Sequence, residues 1–199
     1  MSEQVFKINE IFYSLQGEGY WTGVPAVFVR FSGCNLACPF CDTDNSVGKL
    51  MDVDGIVECV ASYPASHVVL TGGEPAMQVT AHLVDALHSL SRFVSIETNG
   101  TLALPANVDW ITLSPKDVYL GEVARIVLAR VNEIKVIFDG EHSVAEYSEI
   151  EVTHGRFIQP CDMGDAKRNG VVTSAAIDFV MQHPQWRLSL QTHKFLQIK

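Results

Sequence analysis

The sequence predicts an α/β fold, a partial and open TIM-like barrel of parallel strands with a reduced helix count. Three observations predict it. Short runs rich in Val, Ile and Phe alternate with helix-patterned segments, and that alternation implies parallel pairing. Only seven such runs occur in 199 residues, too few for eight strand–helix units. Polar motifs follow the strand-like runs directly, and in open parallel sheets the chemistry lies beyond the carboxyl ends of the strands.

The expected strands are Ala26–Phe31 (AVFVRF), His67–Leu70 (HVVL), Phe93–Glu97 (FVSIE), Trp110–Leu113 (WITL), Glu133–Phe138 (EIKVIF), Arg156–Gln159 (RFIQ) and Trp186–Leu190 (WRLSL). Helices are expected over Asp54–Ser62, Val79–Leu90, Ser143–Ile150 and Thr173–Gln182. Leu83, Val84, Leu87 and Leu90 set the helical period of the second. Thr173 or Ser174 is the expected cap of the last. Behind the strands come GCNLAC, TGGEP, TNG, SPK and QPCD. Gathered on one rim, they would define one large site.

Length and composition suit a single domain spanning residues 1–199, with no repeat or linker. Hydrophobic residues are 47% and charged residues 19%, an ordinary globular balance. A net charge of −9 argues against a nucleic-acid partner, because phosphate binding needs a basic face. The apolar runs are too short or too interrupted to span a bilayer, and MSEQVFKINE lacks the pattern of a signal peptide. The expected location is cytoplasmic.

Five cysteines without a leader do not read as a disulfide framework. Three of them form Cys34-Asn-Leu-Ala-Cys38-Pro-Phe-Cys41. Thiolates are soft ligands that suit iron–sulfur clusters or zinc. Three thiolates from one loop reach three corners of a 4Fe–4S cubane and leave one iron open. A structural zinc site closes with four ligands, commonly as two short pairs, and no second pair is visible here. Cys59 reads as a small buried hydrophobe, and Cys161 lies in a polar loop.

CxxxCxxC followed by GGEP resembles the radical S-adenosylmethionine (SAM) superfamily. Within it, INEIFYSLQGEGY (8–20), GVPAVFVR (23–30), CDTD (41–44), TGGEP (71–75), ETNG (97–100), SPK (114–116), QPCD (159–162) and the tail QTHKFLQIK resemble the 7-carboxy-7-deazaguanine synthase family, in the family's order and over nearly the whole chain. The resemblance implies a core of the radical SAM type. It also implies radical ring contraction of 6-carboxy-5,6,7,8-tetrahydropterin to 7-carboxy-7-deazaguanine with loss of ammonia. SAM and Mg²⁺ would be required, with an electron donor such as flavodoxin, and the chain would work as a homodimer.

Carried onto this sequence, the resemblance assigns Cys34, Cys38 and Cys41 to the cluster and Thr43 to Mg²⁺. Gly73, Ser114, Pro115, Lys116, Gln159, Pro160, Cys161 and Asp162 would contact SAM, with Gly72–Pro75 cradling its ammonium. Leu15, Gln16, Gly17, Arg30, Thr71 and the terminal Lys199 would contact the pterin. The Gln16 amide suits an amide-like ring edge, Glu18 suits its amino group, and Arg30 suits a carboxylate. For Arg30 the competing reading is an internal salt bridge with an acidic side chain, and Glu97–Gly100 reads equally as a turn or a ribose contact. His193 and Lys194 lie in the tail expected to close over the substrate. Family members end in proline where this chain has Lys199, and some carry an insertion between the first two cysteines that is absent here. Two other readings use the same cysteines. A glycyl-radical activase is one, against which LQGEG, CDTD and the tail argue; a zinc interaction module is the other.

Overall fold

The computed structural model describes residues 4–41, 43–44, 46–144, 147 and 149–199. The helix expected over Ser143–Ile150 falls in part outside the described residues, as does the second residue of CDTD. The strands are β1 (Val5–Leu15), β2 (Pro25–Phe31), β3 (Lys49–Asp52), β4 (His67–Gly72), β5 (Phe93–Thr98), β6 (Trp110–Leu113), β7 (Arg130–Phe138), β8 (Glu151–Pro160) and β9 (Arg187–Leu188). They form one open sheet in the order β3-β1-β2-β4-β5-β6-β7-β8-β9. From β2 to β9 every pairing is parallel. The expected open, helix-poor α/β barrel is the architecture observed.

The edge strand β3 and its neighbour β1 were not expected, and the β1–β2 and β1–β3 pairings are antiparallel. For β1 the reason lies in a register shift between Ile8 and Glu10. A bulge inserts one residue and reverses the alternation beyond it. Phe6, Ile8 and Ile11 pack with Val29 and Phe31 on one face. Phe12 instead joins Phe28 on the other face, ring centroids 5.0 Å apart. The period of two that marks a strand is therefore broken in midcourse.

Helices α1 (Val53–Ala61), α2 (Ala81–Ser89) and α4 (Ala166–Gln182) cover the outer face. Their caps are Asp52, Thr80 and Asp165, each accepting from a backbone N–H three residues on. Helix α4 thus starts well before the expected Thr173, and neither Thr173 nor Ser174 is its cap. Its first two turns are mostly exposed and carry no apolar period, so only the half that buries Val172 and Ala176 reads as helix. Short helices α3 (Asp117–Leu120) and α5 (Thr192–Leu196) complete the chain. The last expected strand shrinks to the two residues of β9.

Two apolar clusters fill the space beneath the helices. One joins β1, β2, β4 and β5 to α1 and α2, the other joins β7 and β8 to α4. Val27, Val29, Val68, Leu70, Val94, Ile96, Ile134, Val136 and Ile158 supply the outward side chains. Alternation along each strand then directs Arg30, Thr71, Glu97, Lys135 and Gln159 to the inner face at one end of the sheet. At the other end Tyr20 and Trp21, from the loop after β1, pack against His67, Phe93, Trp110 and His154 and plug the interior. Among the described residues, no helix is long and apolar enough to cross a membrane.

Candidate active site

A cavity of about 970 Å³ opens at the carboxyl ends of the strands. It collects the cysteine loop after β2, Gly72 and Gly73 at the end of β4, Ser114 and Lys116 after β6, and Gln159–Asp162 at the end of β8. Leu15–Glu18, Arg30, Thr71, Glu97 and Lys135 also line it, with Gln191, His193 and Lys199 from the tail. Of the expected site residues, Glu74, Pro75, Gly100, Pro115 and Lys194 do not line it.

Cys34, Cys38 and Cys41 are free thiols along this cavity. The backbone N–H of Leu36 donates to Cys34 Sγ at 3.4 Å, the kind of bond that steadies a thiolate ligand. Burial raises the Cys34 and Cys38 thiols above their ordinary range. The loop is anchored from three directions. Gly73 N donates to Phe31 O at 3.0 Å and Glu74 N to Gly33 O at 2.9 Å. Asn99 Nδ2 donates to Asn35 Oδ1 at 3.0 Å. The Phe40 ring meets Tyr119 edge-on, centroids 4.7 Å apart. Among the described residues, no three His, Cys, Asp or Glu are grouped for a single ion, and a cubane places its thiolates on separate irons. The soft donor set on one anchored loop fits a 4Fe–4S cluster. Thr43 lies on the same wall, its carbonyl accepting from Cys41 Sγ at 3.6 Å.

Gly72 and Gly73 face the cavity, whereas Glu74 does not. Its buried carboxylate accepts from Thr98 Oγ1 and Asn99 N, both at 2.7 Å, and from Ala76 N at 3.0 Å. Glu74 ties the glycine turn to the end of β5 and leaves the backbone of the glycines to meet a ligand. Lys116 Nζ donates to Ser114 O at 2.6 Å and Ser114 Oγ at 2.7 Å, and burial lowers its ammonium to about 8. Asp162 pairs with Lys194 at 2.7 Å, and that bond holds its carboxyl well below the usual range. Lys194 is therefore a strut for the QPCD segment, not a lining group.

The Gln16 amide, expected to meet a ring edge, is already engaged. Its Nε2 donates to Glu97 Oε1 at 2.9 Å and its Oε1 accepts from Glu18 N at 3.1 Å. Arg30 makes the internal salt bridge, Nε to Glu10 Oε1 at 3.1 Å. Its terminal nitrogens have no acceptor among the described residues, and Arg30 borders the cavity. Lys135 was not expected. Its buried ammonium bonds Glu18 and lies 3.6 Å from Glu97 Oε2. Glu133, one inward position earlier on β7, accepts from Thr112 Oγ1 and Tyr20 N at 2.8 Å each. Two charges at alternate positions of an apolar strand, EIKVIF, were the available signal. Thr192 N and Oγ1 donate to Gly17 O at 3.0 and 2.9 Å, which ties the tail to the segment after β1.

An open, mostly parallel sheet with a three-cysteine loop at its carboxyl rim defines a radical SAM enzyme. The model of the radical SAM superfamily matches residues 28–137, more than half of the chain. The 7-carboxy-7-deazaguanine synthase of Bacteroides thetaiotaomicron is 49% identical over 97% of this chain and 98% of that protein. That of Burkholderia multivorans is 41% identical over 97% and 99%. The crystal structure of QueE from Escherichia coli superimposes with a TM-score of 0.75 at 29% identity, covering 95% of each chain. The chain belongs to the 7-carboxy-7-deazaguanine synthase family of the radical SAM superfamily.

Proposed function

We propose that this chain converts 6-carboxy-5,6,7,8-tetrahydropterin to 7-carboxy-7-deazaguanine by radical ring contraction with loss of ammonia. The observation that carries the reading is that the cysteine loop and a wall of Arg30, Glu18 and Glu97 face one cavity. In this reading Cys34, Cys38 and Cys41 hold a 4Fe–4S cluster, and the glycines after β4, Ser114, Lys116 and Gln159–Asp162 seat SAM. When bound, cluster and SAM supply one-electron cleavage of a carbon–sulfur bond and the hydrogen-atom abstraction it makes possible. The residues of this chain bind, orient and exclude water. Arg30 offers its terminal nitrogens to the pterin carboxylate, and Glu18 and Glu97 accept from ring N–H groups. Thr71 lies beside them. The tail over Gly17 keeps water from the radical chemistry.

Thr43 would give Mg²⁺ one hard oxygen, with substrate and water supplying its remaining ligands. The chain would act as a single radical SAM core domain in the cytoplasm, as a homodimer reduced by a flavodoxin-type donor. Family membership supports these points.

The test is anaerobic reconstitution with iron and sulfide, followed by SAM, Mg²⁺, a strong reductant and the tetrahydropterin. Product with the mass of 7-carboxy-7-deazaguanine from wild type, and none from Cys34→Ala, is the expected result. SAM cleavage without product would keep the radical SAM chemistry and reject the substrate. Omitting Mg²⁺ should lower the rate in wild type more than in Thr43→Ala.

A further inference from the structure

We propose that Lys135 is a positioning residue for the substrate: its ammonium lies between Glu18 and Glu97 and holds both carboxylates at the cavity wall as paired acceptors for the N–H edge of an aminopyrimidinone ring. The inference rests on the pterin reading above and deepens it.

The three residues come from distant elements. Glu18 lies in the loop after β1, Glu97 near the end of β5 and Lys135 on β7. Each carboxylate gives one oxygen to Lys135 and receives a side-chain amide on the other. Gln191 Nε2 donates to Glu18 Oε1, and Gln16 Nε2 to Glu97 Oε1, at 2.9 Å each. A carboxylate has about four lone-pair sites, so each retains capacity to accept from a ligand in the cavity. The lysine side chain is 4% exposed and those of Glu18 and Glu97 14% and 23%, so the group is held with little water.

Buried carboxylates that face one another cannot both stay ionised without a cation between them. Burial pushes Glu18 up, but Lys135 more than reverses this and holds it at about 2. Lys135 is raised in turn, by Glu18 first and Glu97 next, against the effect of its own burial. Glu133, Lys116 and His193 also bear on the group from β7, the SPK turn and the tail. Replacing Lys135 by a neutral side chain would leave both carboxylates without the cation they face, and protonation of either would remove acceptor capacity toward the ring. Arg30 and the cysteine loop would be untouched.

The experiment measures binding, independently of turnover. Cluster-loaded, SAM-bound protein is titrated with 6-carboxypterin, followed by its fluorescence, from pH 7.5 to pH 5.5. Lys135→Met should bind about ten- to a hundredfold more weakly at pH 7.5, the range of a lost charge-assisted hydrogen bond. Its affinity should fall further as pH drops, relative to wild type. Lys135→Arg should restore affinity to within a few-fold and restore the wild-type pH profile. Should Lys135→Met not fold, Lys135→Met/Glu97→Gln removes the repulsion and should bind weakly with no added pH dependence. Wild-type affinity in either neutral variant, or a loss in Lys135→Met equal at every pH, would overturn the proposal. Wild type that fails to bind the pterin would instead overturn the functional reading on which it rests.

Discussion

Lys199 and Arg30 share one carboxylate. Glu10 Oε1 takes Arg30 Nε at 3.1 Å, and Glu10 Oε2 takes the Lys199 ammonium, which also lies 5.0 Å from the Phe12 ring centre. Burial pushes Glu10 up, but the two cations hold it below its ordinary value. Arg30 is thus oriented by Glu10 while its terminal nitrogens stay available. Arg30→Ala should lower kcat/KM by about a hundredfold or more, the loss of a bidentate charge-assisted pair. It should also abolish discrimination against a tetrahydropterin lacking the carboxylate. Lys199→Ala, at a far more exposed contact, should raise KM only about two- to fivefold. Steady-state kinetics with both pterins checks this.

Gly72 is fixed by its neighbour in the next strand. It has φ +129°, and a Cβ there would come within 2.5 Å of Phe31 N, a backbone atom that cannot move aside. Gly72→Ala should destabilise the fold by about 3 kcal/mol or more and displace the turn that braces the cysteine loop. Urea denaturation, with iron content after reconstitution, would show it; unchanged values for both would refute the assignment.

Glu133 organises the closed end of the barrel. Its carboxyl is raised by burial and accepts from Tyr20 N and Thr112 Oγ1. Glu133→Gln keeps one acceptor oxygen and should be tolerated. Glu133→Ala leaves a buried N–H and hydroxyl unsatisfied and should cost about 2 kcal/mol, seen as a lower urea midpoint.

His67 is buried against Trp21 and Phe93, with Nε2 2.8 Å from Ser95 Oγ. Burial lowers it to about 4, so it folds neutral. The unfolded chain takes up this proton near pH 6.5 and the folded chain does not. Stability from this group is complete above pH 6.5 and is lost as pH falls toward 4. Between pH 7.5 and 5, wild type should lose about 2 kcal/mol more than His67→Gln. Parallel denaturation curves at the two pH values decide it; equal losses in both proteins would rule out His67 as the source.

The cysteine loop, the glycine turn and the sequence of polar strand ends were legible in the chain because each lies within a few consecutive residues. Local spacing alone dictates which thiols share a loop and which strands alternate with helices. The central strands were legible for the same reason, as short runs rich in Val, Ile and Phe. Strand β1 was not, because the bulge near Ile8 breaks that period, and the start of α4 was not, because its exposed turns carry no apolar stripe. Only the tertiary structure decided the roles of the charged residues. It paired Lys135 with Glu18 and Glu97 and Arg30 with Glu10. It turned the Gln16 amide and the Glu74 carboxylate toward the protein and away from a ligand. A charge near a strand end is costly until it is paired, but its partner can come from any neighbouring strand, loop or tail. Local sequence sets the burial of such a group, and only the assembled barrel selects the partner that stabilises it.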